Sequence, residues 1–184
     1  MTDDAYRIVP AGGPRVRTDI VDVYVFRARS GAGEDADIDL LQLHRASDPL
    51  GATWQPIMGH IESGETAVTT AVRELAEEVG LTPTGDAFRG MWALEQVHPF
   101  YLAALDCIVM SPRFAVEVAP GWEPTLDHEH DDARWITWPL HAGMPASDFF
   151  MWPGQRAAIA ELTTAIARRG SIARDHLRID LGSL

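Results

Sequence analysis

The chain is poor in cysteine: Cys107 is the single one in 184 residues, so no intrachain disulfide can form. It sits in the apolar run ALDCIVM with no catalytic motif around it, and a buried strand thiol is expected there rather than a nucleophile. Positive charge is also scarce, with 15 Lys and Arg against 27 Asp and Glu. The resulting net charge of −12 repels a phosphate backbone and excludes duplex nucleic acid as the expected partner. No apolar run reaches the length of a membrane span, and MTDDAYRIVPAGG lacks the basic, apolar and small-residue order of a signal peptide. By elimination, a cytoplasmic protein without membrane contact is expected. Repeats and linkers are absent too, which predicts one domain over 1–184, with a core over about 15–170 and a tail, 171–184, that the pattern does not place.

What is present is ordinary for a folded domain: 46% hydrophobic and 23% charged residues. TDIVDVYVFRAR and IDLLQLHR read as strands joined by the Gly- and Asp-rich connector over 30–37. A short strand is expected around Trp54 to Met58. Val68, Ala71, Val72, Leu75 and Val79 then recur at spacings of three and four, which predicts a helix from about Glu65 that stops at Gly80. FRGMWALEQVHPFYLAALDCIVM, FAVEV and ARWITWP read as further strands, and Gly154 to Gly170 as a second amphipathic helix. Strands around two amphipathic helices predict an α/β fold, a mixed sheet with helices on its two faces.

Glu74, Glu77 and Glu78 project together from the first helix, beside its apolar stripe. Like charges at that spacing cost a helix roughly 0.2 to 0.5 kcal/mol per pair. Two readings are open at this point: a solvated face relieved by Arg73, or carboxylates collected for a hard divalent cation such as Mg²⁺.

The surround narrows the choice. It reads Gly59, five residues, Glu65, seven residues, Arg73-Glu74-Leu75, one residue, Glu77-Glu78, one residue, Gly80-Leu81. All nine specified positions of this 23-residue stretch match, and it resembles the box of the Nudix family. The resemblance implies a loop-helix-loop within an α/β/α sandwich. It also implies a hydrolase that needs Mg²⁺, with Mn²⁺ the alternative, and cleaves a diphosphate linked to some further moiety. Carried onto this chain, it implies that the Gly59 carbonyl with Glu74, Glu77 and Glu78 holds metal. Glu74 or Glu78 would orient or deprotonate the attacking water, and Glu65 with Arg73 would form a structural ion pair.

A weaker similarity in TWQPIMGHIESGET, EHDDARWITWP and WPGQRAAI points to the subgroup of nucleoside triphosphate pyrophosphohydrolases that includes the dihydroneopterin triphosphate and dATP enzymes. It implies that Glu129, with Glu123 the fallback, completes the metal site or acts as base, and that Arg17, Arg45 and Trp54 contact substrate. His128 and His130 lack the further ligands of a zinc site. The expected partner is a small nucleotide or pterin polyphosphate, with monomer and homodimer both open. The alternatives keep the chemistry on ADP-ribose, a nucleotide sugar or a dinucleotide polyphosphate, or make the chain a non-catalytic ligand-binding module. The usual mark of that module, a broken Glu-Glu pair, is absent here.

Overall fold

Side chains on β2 (Ile20–Ala28) alternate between two cores: Val21, Val23 and Val25 enter one, Tyr24 and Phe26 the other. Next to it, β3 (Ile38–Arg45) sends Leu41 and Leu43 to the first core and Ile38 and Leu40 to the second. Strands buried on both faces read as near-continuous apolar runs, which is why both were visible in the sequence. The computed structural model describes residues 12–29, 37–47, 51–140, 144–150, 152–168 and 170–183, so residues 30–36 of the connector lie outside the described residues.

The main sheet also contains β4 (Trp54–Gln55), β5 (Ile57–His60), β6 (Phe88–Leu94), β9 (Arg113–Val118) and β10 (His130–Trp138). Its order is β10-β3-β2-β9-β6, with β4 paired to β3 and β5 to β2. The β2 and β9 strands run parallel and the other pairs antiparallel, so the sheet is mixed. A second, three-stranded sheet orders β1 (Arg15–Arg17), β8 (Cys107–Val109) and β7 (Phe100–Leu102) as β1-β8-β7, and Cys107 is buried in it.

One helix layer covers each face of the main sheet. Helix α1 (Ala67–Val79) buries Ala71, Leu75 and Val79 in the first core. It begins after Thr66, two residues later than the periodicity suggests, because the Thr66 side chain accepts the Thr69 N–H and Thr69 returns a bond to the Thr66 backbone. On the other face, α2 (Pro153–Glu161) supplies Ala158 and Ile159, and the wider π-turn Leu162–Ile166 supplies Leu162 and Ile166. The single helix expected over 154–170 is thus interrupted, and the Ala167 N–H reaches back to the Leu162 carbonyl at 2.8 Å. At about 1.5 to 3 kcal/mol per fully buried large apolar side chain, these two layers supply most of the folding drive.

The unplaced tail forms α3 (Ile172–His176) and then runs along β6, with Ala93 N–H donating to Leu177 O at 3.0 Å and Ile179 N–H to Met91 O at 2.9 Å. Buried Trp92 donates from Nε1 to Arg174 O at 2.7 Å, and the Arg174 guanidinium pairs with Glu117. No helix among the described residues is long and apolar enough to cross a membrane.

Candidate active site

The C-terminal turn of α1 organises the site. Gly80 takes a left-handed conformation (φ 68°), and the Gly80 and Leu81 N–H groups bond the carbonyls of Ala76 (3.2 Å) and Leu75 (3.0 Å). The last carbonyls of the helix are taken by the loop over 119–129: Asp127 N–H donates to Glu78 O at 3.3 Å and Thr125 N–H to Val79 O at 3.1 Å. Satisfying these helix-end groups brings the loop acids to the helix acids. Within the loop, Asp127 Oδ1 accepts the Glu129 N–H at 3.0 Å and lies 3.1 Å from His130 Nδ1. Glu129 Oε2 stands 3.2 Å from Arg45 Nη1, and the register pairs His130 with Arg45.

Glu74 and Glu78, one turn apart, face inward and are 9% and 5% exposed. Room for Glu74 exists because residue 59 is glycine. Paired with Val21 on β2, Gly59 faces the α1 layer, and a Cβ there would stand 2.0 Å from the Glu74 carboxyl carbon. Glu78 Oε2 is buried without a hydrogen-bond partner. It faces His130 Nε2 at 3.8 Å, which is also unpartnered. Burial, reinforced by the negative charges of Glu74, Asp127 and Glu129, pushes the Glu78 carboxyl up to about 9. Burial also raises Glu74, with Arg73 pulling the other way.

Arg73 is held at every nitrogen. Nε lies 2.8 Å from Glu65 Oε1, Nη1 lies 2.8 Å from Glu74 and 2.9 Å from Glu77, and Nη2 donates to His60 O at 2.9 Å. Bonds from Arg73 and from the Thr70 hydroxyl hold the Glu65 carboxyl down to about 2, and the Glu65, Glu77 and Glu74 carboxylates raise Arg73 above its ordinary value. The acidic face expected from helical spacing is therefore split. Glu74 and Glu78 turn to the sheet, whereas Glu77 stays at the solvent edge on Arg73.

Glu129 and Arg45 lie beside this pair, but other expected residues do not. Glu123 bonds Arg27 and Trp135 Nε1, both at 2.9 Å, and is committed there. Arg17 belongs to the small sheet and bonds Asp19 at 2.8 Å. Trp54 pairs with His44, on the second-core side of β3, and the Arg134 guanidinium covers its ring at 4.0 Å. The β4 residue on the α1 side is instead Gln55, opposite Leu43. Asp127 and His130 were missed as parts of the site. The available signal was the alternation of β10, which puts His130 on the same side as Arg45, with His128 left exposed.

Fold and side chains together define a class: an α/β/α sandwich whose polar site is built from acids on one sheet-covering helix and on the loop that closes its end. The chain belongs to the Nudix family, since the NUDIX domain model matches residues 16–153. Proteins of this family generally cleave nucleoside diphosphate derivatives. Solved structures with this fold include the C. elegans Ap4A hydrolase binary complex, with TM-score 0.63, 17% identity, and coverage of 82% of this chain and 98% of that one. Another is the E. coli dihydroneopterin triphosphate pyrophosphohydrolase, with TM-score 0.51, 20% identity, and coverage of 90% and 97%. In sequence, an octanoyltransferase of Myxococcus xanthus is 35% identical over 111 residues, which are 59% of this chain and 29% of that protein. The chain thus spans less than a third of the length of that relative.

Proposed function

We propose that the chain is a Mg²⁺-dependent pyrophosphohydrolase of a nucleoside triphosphate or a related pterin triphosphate, releasing a monophosphate and pyrophosphate. The observation that carries this reading is Glu78, a buried carboxylate with an unpartnered oxygen and three further acids acting on it. Such a group demands a cation, and hard carboxylate oxygens suit Mg²⁺ or Mn²⁺. The residues fit: Glu74 and Glu78 would hold the ion, with Glu77, Glu129 and the Gly59 carbonyl as the remaining protein ligands. Among the described residues no three acids or histidines stand around one point, so Glu77 and Glu129 would have to turn from Arg73 and Arg45 to join Glu74 and Glu78 on the ion.

When bound, the metal acidifies water and offsets charge on the phosphate oxygens. Glu78, or Glu74 beside it, would orient the attacking water and take its proton once the cation's charge holds these buried carboxyls ionised against the upward push of burial. Arg45, beside Glu129, meets the phosphates. Arg17 and Trp54 stay as outer substrate contacts in this reading, and Trp54 reaches a ring only if Arg134 leaves its face. The triphosphate assignment rests on the EHDDARW and TWQPIMGHIESGET resemblance, and the whole of 1–184 acts as one domain.

A panel of nucleoside triphosphates, pterin triphosphate, ADP-ribose, nucleotide sugars and dinucleotides, assayed with Mg²⁺ and with chelator, tests the reading. Pyrophosphate release from triphosphates is expected, and activity confined to the other substrates refutes the substrate assignment. Glu78→Gln should lose on the order of 10³-fold in turnover while keeping its circular dichroism. Wild-type turnover in that variant refutes the metal site.

A further inference from the structure

The His130 ring is fully buried, one residue behind the half-buried Glu129 and two behind the exposed His128. Its Nδ1 lies 3.1 Å from Asp127 Oδ1. Asp127 is itself held from two sides: Oδ1 accepts the Glu129 N–H at 3.0 Å, and the Asp127 N–H donates to the Glu78 carbonyl at 3.3 Å. A carboxylate accepts and does not donate, so Asp127 sets the ring proton on Nδ1 and leaves Nε2 its lone pair. That lone pair faces Glu78 Oε2 across 3.8 Å, and neither atom has a hydrogen-bond partner.

Two acceptors at that distance cannot bond each other. A donor with two hydrogens satisfies both: a water oxygen about 2.8 Å from each, set to one side of the line between them, gives one O–H to Nε2 and the other to Oε2. The lone pairs of such a water are the part left free to meet a phosphorus atom. A cation is the other candidate for the same space, but an imidazole nitrogen suits Zn²⁺, whereas the carboxylates of this site suit Mg²⁺ or Mn²⁺. Among the described residues His130 also joins no group of three acids or histidines able to hold a metal.

Resting on the hydrolase reading above, we propose that His130 positions the attacking water, its Nε2 being the second acceptor beside Glu78, and that Asp127 fixes the ring which presents it. Long-range ¹H–¹⁵N spectra of the metal-free, histidine-labelled chain read this without any turnover. Near pH 8, His130 should carry its proton on Nδ1 alone, and a proton on Nε2 overturns the proposal. With the substrate that the panel turns over fastest, His130→Phe, folded by circular dichroism, should lower kcat by about 10²-fold. KM, and the Mn²⁺ dissociation constant measured by calorimetry on the substrate-free chain, should stay within about threefold. His130→Gln, whose amide oxygen can accept in place of Nε2, should recover about tenfold of the loss, which a purely structural histidine would not predict. Mn²⁺ affinity that falls in step with kcat assigns His130 to the metal and overturns the water assignment. Unchanged kcat in folded His130→Phe overturns this proposal alone, whereas a wild type without Mg²⁺-dependent turnover overturns the hydrolase reading and takes this proposal with it. If His130→Phe fails to fold, the position of the ring proton still decides.

Discussion

Gly59 and Glu74 occupy a space that holds one side chain. A methyl group at position 59 would overlap the Glu74 carboxyl, whose far end can swing away, so the cost falls on catalysis more than on folding. Gly59→Ala is expected to lower kcat by about 10²-fold, the scale of a misplaced catalytic group, with the thermal midpoint nearly unchanged. Steady-state kinetics beside a thermal melt would check this, and an unfolded variant would refute it. Glu78 makes a second prediction, this one in pH. Its folded value near 9 lies above the ordinary 4.5, so between those values the folded state keeps a proton that the unfolded chain has lost. Stability of the metal-free protein therefore falls as pH rises through that window and levels off above it. Glu78→Gln removes the penalty and should stabilise the metal-free chain by on the order of 2 kcal/mol near pH 8, with almost no gain near pH 4. Urea unfolding with chelator at several pH values measures it; a pH-independent difference would reject the buried ionisation.

Helix α1 is legible in the sequence because the three- and four-residue spacing of Ala71, Leu75 and Val79 is what a buried stripe requires, and Gly80 marks its end. Substituting that glycine tests the terminus. At φ 68°, with the Thr125 Cβ only 3.3 Å from where a Cβ would stand, Gly80→Ala should cost about 1 to 2 kcal/mol and loosen the loop over 119–129. Chemical denaturation reads the first effect, and faster hydrogen exchange at Thr125 and Asp127 reads the second. A neutral substitution would mean that the loop, rather than the glycine, fixes the helix end. Which of the clustered acids turn inward was not legible. Spacing put Glu74, Glu77 and Glu78 together, whereas the opening at Gly59 and the loop bonds to Glu78 and Val79 admit Glu74 and Glu78. The side on which Trp54 lies was not legible for a related reason. In a two-residue strand the face depends on register with β3, and that register leaves Gln55 on the α1 side.

At the scale of the molecule, each helix layer depends on a sheet whose edges are managed. The outer edge of β6 would expose the Met91 and Ala93 backbone groups, and the tail over 171–183 covers them with Ile179 and Leu177. The tail escaped the sequence reading because its stability comes from these long-range backbone bonds and from Trp92, not from its own periodicity. Glu117 makes it more than a cover, since this nearly buried carboxylate faces Arg174 from the tail. A chain ending at Gly170 would leave Glu117 without that cation, remove the acceptor for the Trp92 indole and open β6 to other chains. It should therefore melt several degrees lower, at roughly 2 to 4 °C per kcal/mol lost for a domain of this size, and scatter light on warming. Arg174→Ala should reproduce part of the drop without opening the edge, which separates the ion pair from the backbone cover. The tail packs Ile179 and Leu181 on the α1-side core but makes no hydrogen bond or ion pair to Glu74 or Glu78 among the described residues, so turnover of the freshly prepared soluble fraction should persist. A shortened chain with the wild-type melting temperature would show that β6 closes without its tail.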